Sequence, residues 1–173
     1  PVAHLVMGDN DNCKGWLVGK PHNGLRYMFQ MMNGARISVG MMSTALSSAA
    51  YYASLEYANE RPQGRKPSNR DASSPQELII EYADVRRMLL FQKSVTEGSL
   101  ALVTQCAMYA DLARVTEGED KVKYQMLLDL LTPMAKAYPS EISVQSTSQG
   151  MQVLGGAGFC SDFPLQQYYR DTR

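Results

Sequence analysis

The chain has 173 residues, and its seventeen basic and seventeen acidic side chains cancel, which leaves no broad charge footprint for nucleic acid or an anionic membrane. Hydrophobic residues make up 45% of it and include eleven methionines, enough for one domain core with an adaptable gap filler. Cys13, Cys106 and Cys160 are odd in number and lack metal-ligand spacing, which points to free thiols in a reducing compartment.

Residues 1–23 differ from the rest. Gly8-Asp-Asn-Asp-Asn12 is turn-rich, Trp16-Leu-Val18 is a short strand-like run, and Gly19-Lys-Pro-His-Asn-Gly24 interrupts it. This predicts one β-hairpin or part of one, too small to stand alone. It is expected to be the tail of a preceding β domain, in a chain that begins at Pro1 and is read as a piece of a longer protein. His4 and His22 lie here without a partner at metal or catalytic spacing.

From Leu25 the period becomes helical. Met28, Met32, Ala35, Val39, Met42, Leu46, Ala49 and Ala53 recur in steps of three and four, predicting a core-facing stripe on one helix up to about Asn59. Small residues such as Ala45, Ser47, Ser48 and Ala49 admit a close neighbour. Arg61-Pro62 ends the helix, because proline disfavours helical geometry in the residue before it.

A polar loop fills residues 62–74. Ser74-Pro-Gln-Glu77 then reads as a capped helix start. Val85, Met88, Val95, Leu102, Cys106, Tyr109 and Ala113 mark the buried side of a second helix ending near Glu117-Gly118. A third, from Glu119-Asp120, carries Val122, Met126, Leu130 and Met134 and is predicted to kink or restart at Pro133. A fourth runs from Pro139 to the Gly155-Gly156 stop. The fold class is therefore all-α, an up-and-down four-helix bundle over residues 24–173 with a short β remnant before it. No apolar run is long enough to span a bilayer.

Two sets of motifs stand at informative spacing. The first is Arg36, then Tyr57-Ala58, Arg61 and Gly64. The second is Gln152-Val-Leu-Gly-Gly-Ala-Gly-Phe159, then Pro164 and Arg170-Asp171. Read residue by residue, Arg61 is a cation at a helix C-terminus and the glycines are a helix stop and a tight turn. Together, over nearly all of residues 14–173, they resemble the C-terminal helical domain of the acyl-CoA dehydrogenase family, flavin enzymes that desaturate acyl-CoA thioesters.

The resemblance implies that Arg61 reaches the pyrophosphate of FAD bound mainly by a neighbouring subunit, a task suited to the planar guanidinium fork. It implies that Gln152, Gly155 and Gly156 touch the adenosine part of that FAD, and that Arg36 is a substrate-binding residue that orients the segment carrying or supporting the catalytic base. Gln63 stands where the family usually has phenylalanine. Arg170-Asp171 is expected to be a structural ion pair. A minority of relatives place the catalytic base just before the first arginine, and Ala35 has no proton to exchange. No catalytic residue or metal ligand is therefore assigned, and the base is expected beyond Arg173. The fragment alone is expected to be inactive.

The resemblance also implies an acyl-CoA substrate, a homodimer or homotetramer, and electron-transfer flavoprotein or another electron acceptor, in the bacterial cytoplasm rather than the mitochondrial matrix. Acyl-CoA oxidases and nitroalkane oxidase-like enzymes share the domain. The alternative is a helical assembly module of a catalytically inactive homologue.

Overall fold

The computed structural model describes residues 3–69 and 71–172. It resolves into two compact units, Pro1–Met32 and Asn33–Arg173. Four α-helices follow in chain order: α1 Gly24–Glu60, α2 Ala83–Val115, α3 Gly118–Leu154 and α4 Leu165–Thr172. No strand forms among the described residues.

In the first unit the expected hairpin is absent among the described residues. Residues 3–23 are coil punctuated by two turns, as two short runs with no third strand are too few to hold a sheet. The Tyr27 hydroxyl accepts a hydrogen bond from the Lys20 amide at 3.1 Å and fastens the second turn to the start of α1. Leu5, Met7, Trp16, Leu17 and Val18 are left exposed.

The second unit is a bundle of long helices with a polar, small-residue seam. The buried side of α1 is Gly40, Ser43, Thr44, Ser47, Ala50, Ser54 and Ala58. The predicted stripe Val39, Met42, Leu46, Ala49 and Ala53 sits one position earlier, a rotation of about 100°, and Met42 is 55% exposed. Small side chains win the interior because they let helix backbones approach. Most of their hydroxyls are satisfied locally: Thr44 donates to the Gly40 carbonyl at 2.8 Å and Ser54 to the Ala50 carbonyl at 2.7 Å, the back-bonding available to hydroxyls on a helix, while Ser47 finds no partner among the described residues.

The prediction for α2 fares better. Met88, Val95, Cys106 and Ala113 are buried. Its start is later than expected, because Ser74 spends its hydroxyl on the Asp71 carbonyl at 2.8 Å instead of capping a helix. Residues 75–78 stay extended, a single 3₁₀ turn covers Ile79–Glu81, and α2 begins at Ala83.

The two helices predicted for residues 119–155 are one. α3 passes through both Pro133 and Pro139. Each proline removes an intrahelical donor. The carbonyl that Pro139 cannot satisfy belongs to Ala135, and Gly40 of α1 lies so close to it that a methyl group there would collide with that oxygen. The bundle thus places a glycine backbone over the gap. The predicted stripe on α3 faces outward: Val122, Met126, Leu130 and Met134 are between 52% and 67% exposed. Thr132, Ala135, Pro139, Ser143, Ser146, Thr147 and Gly150 are buried instead.

All four helices meet at Gly150. A Cβ there would lie 2.7 Å from Ser54 Oγ, 2.8 Å from Leu165 Cδ2 and 2.9 Å from Gln92 Oε1. Beyond this point the core turns apolar, with Ala58, Ile79, Met88, Leu89, Val153, Leu154 and Leu165 packed together. That apolar end carries the candidate site.

Candidate functional site

A cleft of about 920 Å³ opens at this end of the bundle. One wall is the C-terminal end of α1 with the segment just after it: Tyr57, Arg61, Gln63, Gly64 and Arg65. The floor is Ile79, Tyr82, Asp84, Val85 and Met88, from the 3₁₀ turn and the start of α2. The opposite wall is Gln152 to Ala157, the last turn of α3 and the glycine turn after it.

Each wall has a local cause. α3 stops because Gly155 takes φ 59°, in the left-handed half of backbone space that side chains rarely enter. Its amide still donates to the Gln152 carbonyl, so the chain closes the helix as it turns away. Tyr57 is braced from behind by Phe163, whose ring meets it edge-on with centroids 5.7 Å apart.

The Arg61–Gly64 wall is held by a short antiparallel clip with residues 77–79, centred on a bridge between Pro62 and Leu78. The Ile79 amide donates to the Arg61 carbonyl at 2.9 Å, the Gln63 amide to the Glu77 carbonyl at 2.8 Å, and the Glu77 amide to the Gly64 carbonyl at 3.1 Å. This pairing takes the place of the helix start expected at Ser74-Pro75, since it satisfies backbone groups that the end of α1 would leave open.

The charges in the cleft differ in how they are committed. Arg65 spends its guanidinium on the Ser74 and Ala72 carbonyls, at 2.8 and 2.7 Å, and so holds the 62–74 loop. Asp84 pairs with Arg87 at 3.0 Å. Among the described residues Arg61 makes no side-chain hydrogen bond or ion pair, and neither does the Gln152 amide. The cleft therefore presents an uncommitted guanidinium, a donor–acceptor amide and a glycine turn. That set suits a phosphate-bearing ligand with a polar head.

Of the residues singled out from sequence, Arg61, Gln152, Gly155 and Gly156 come together here. Arg36 does not line this cleft; it is half-buried, and its guanidinium lies 3.4 Å from Asn33 Oδ1. Arg170 and Asp171 do not pair with each other: each binds the Gln167 side chain, at 2.8 and 2.7 Å. Both lie on one short helix where Gln167, three and four positions earlier, is the better-placed partner. Tyr57 belongs to the first motif read from the sequence; that Tyr82, Asp84 and Met88 line the cleft was not foreseen. A side chain brought in by packing leaves no local sequence signal.

The fold and cleft define a helical bundle domain with an open cleft at one end. Residues 22–173 match the family model described as acyl-CoA dehydrogenase, C-terminal domain, and the chain belongs to the acyl-CoA dehydrogenase family. It is 40% identical over 173 residues to 3-methylmercaptopropionyl-CoA dehydrogenase of Ruegeria pomeroyi, covering 99% of this chain and 29% of that protein. It is 38% identical over 178 residues to a butyryl-CoA dehydrogenase of Syntrophomonas wolfei subsp. wolfei, again covering 99% of this chain and 29% of the relative. The chain thus spans less than a third of the length of these curated relatives.

Among solved structures, butyryl-CoA dehydrogenase from Megasphaera elsdenii superposes with a TM-score of 0.71 at 19% identity, over 89% of this chain and 34% of that one. The all-helical fold is the family's. No helix among the described residues is long and apolar enough to cross a membrane.

Proposed function

We propose that this chain is the helical-bundle part of a flavin-dependent acyl-CoA dehydrogenase, and that its cleft forms one wall of an FAD site. The observation that carries this reading is the meeting of Arg61 with Gln152 and the Gly155-Gly156 turn in one cleft. The cleft fits the group. Its volume accommodates part of a dinucleotide, its free guanidinium matches a pyrophosphate, and the glycines leave room for an adenosine.

In this reading Arg61 would hold the pyrophosphate and Gln152 the adenosine end. Arg36 supports the substrate side. FAD, when bound, supplies the acceptor for the β-hydride of an acyl-CoA whose α-proton goes to a base. This chain's part is to position and to exclude water. Ala35 carries no exchangeable proton, so the base is assigned to no residue here.

Residues 1–23, with exposed Trp16, Leu17 and Val18, are read as the tail of a preceding domain on which those side chains pack. The outward stripe on α3 supports a homodimer or homotetramer. Electron-transfer flavoprotein or another acceptor reoxidises the cofactor, and the bacterial origin of the relatives supports the bacterial cytoplasm.

The test is an absorption spectrum of the intact protein before and after anaerobic addition of acyl-CoAs of graded chain length. Flavin bands that bleach with one chain-length class are the expected result. A protein that purifies and reconstitutes without flavin overturns the reading.

A further inference from the structure

The cleft contains one hydroxyl whose bond runs to the wall rather than toward the open space. Tyr82 Oη donates to the Gln63 carbonyl at 2.8 Å. Tyr82 is the residue on which α2 starts, and its own carbonyl accepts the Arg86 amide at 3.0 Å. The hydroxyl therefore ties a rigid helix start to the segment that follows α1. Gly64, next in the chain, has φ 68°, and a Cβ there would lie 3.0 Å from Tyr82 Oη. Glycine at 64 thus lets the backbone turn and lets the phenol reach the carbonyl.

Three other backbone groups of this wall are held by the clip. The Arg61 carbonyl, the Gln63 amide and the Gly64 carbonyl are all fixed by residues 77–79. The Tyr82 bond completes the set at the Gln63 carbonyl, two residues from the guanidinium. A wall fixed at each of these points holds in place the backbone that carries the Arg61 side chain, and preorganisation of that kind lowers the cost of binding.

We propose that Tyr82 is a positioning residue of the cofactor cleft, its hydroxyl fixing the Gln63 carbonyl so that Arg61 faces the ligand's pyrophosphate. The proposal rests on the reading of the cleft as an FAD wall. It assigns Tyr82 no contact with the ligand: its effect passes through Arg61.

The test is FAD binding to the intact apoprotein, followed by flavin fluorescence, for Tyr82→Phe, Arg61→Ala and the double variant, each with a melting curve. Phenylalanine keeps the ring and its packing and removes only the hydrogen bond. The expected result is a Kd raised roughly fivefold in Tyr82→Phe. In the Arg61→Ala background the same change adds less than about twofold, because its target is gone. An unchanged Kd in Tyr82→Phe, with Arg61→Ala weakened, overturns the proposal and leaves the cleft reading standing. Equal weakening by Tyr82→Phe in both backgrounds also overturns it, since the hydroxyl would then act independently of Arg61. No weakening in any variant overturns the proposal and the cleft reading together.

Discussion

Arg61, one residue beyond α1, and Gln152, in the last turn of α3, line the same cleft from opposite walls. In the FAD reading their contributions are unequal. Bonds from a guanidinium to a pyrophosphate are charge-assisted and each is worth about 2 kcal/mol, against about 1 kcal/mol for a neutral amide bond. Arg61→Ala is therefore expected to weaken FAD binding by more than tenfold and Gln152→Ala by less. Arg61→Lys recovers part of the loss, keeping the charge but not the fork. Flavin titration of the three apoproteins checks the order; equal affinities would take the cleft out of the cofactor site.

The polar seam makes a second prediction. Ser54 is fully buried, and its single hydroxyl proton is shared between the Ala50 carbonyl at 2.7 Å and Gln92 Oε1 at 3.2 Å. Ser146 is equally buried, and its hydroxyl has no partner among the described residues. Ser54→Ala leaves Gln92 with an unmet acceptor and is expected to cost about 1–2 kcal/mol. Ser146→Ala is expected to be neutral or stabilising. Urea unfolding of the two variants measures the contrast, and a larger loss for Ser146→Ala would contradict this arrangement of the seam.

The three thiols divide by position. Cys13 and Cys160 are exposed, whereas Cys106 is buried. Burial raises the Cys106 pKa above the ordinary thiol value, since the thiolate is the form that desolvation disfavours. The unfolded chain gives up this proton first. The stabilisation is thus complete below the ordinary thiol range and is lost as pH rises through the raised native value. A disulfide reagent at neutral pH is expected to modify Cys13 and Cys160 quickly and Cys106 only on unfolding. The urea midpoint is expected to fall as pH rises above the ordinary thiol value of about 8.5, and Cys106→Ala to flatten that slope.

Val122, Met126, Leu130 and Met134 form an exposed row at four-residue spacing. If copies of the chain assemble through this row, charges there should separate them without unfolding the bundle. Met126→Glu with Leu130→Lys is expected to shift the intact protein to a smaller species in sedimentation while its helical signal is kept. An unchanged sedimentation coefficient would place the assembly face elsewhere.

That row also explains what the sequence conveyed and what it did not. Helical periodicity identified α2 and part of its buried side, Met88, Val95, Cys106 and Ala113, because these are apolar enough to register. On α1 and α3 the same pattern pointed to the wrong side. Gly40, Ser43, Ser47 and Ser54 fill the interior there, and hydropathy does not mark serine or glycine as core. Pro133 and Pro139 read as breaks because the residue that shields the Ala135 carbonyl, Gly40, is far away in sequence. Arg61 and Gln152 were legible through their motifs. The Tyr82–Gln63 bond was not, since it depends on a clip between residues 61–64 and 77–79 that replaced an expected helix start.

Gly40 over the Ala135 carbonyl has one more consequence. With Pro133 and Pro139 inside it, the segment Gly118–Leu154 is a poor helix by itself: two donors are missing within seven residues. Before α1 docks it should exist as two short, loosely hinged halves, one bearing Val122 to Leu130 and the other Gln152. Docking of α1 welds the halves into a single strut. The outward row near one end and the cleft at the other then move as one piece, so a disturbance at the seam around Gly40 would be felt at both.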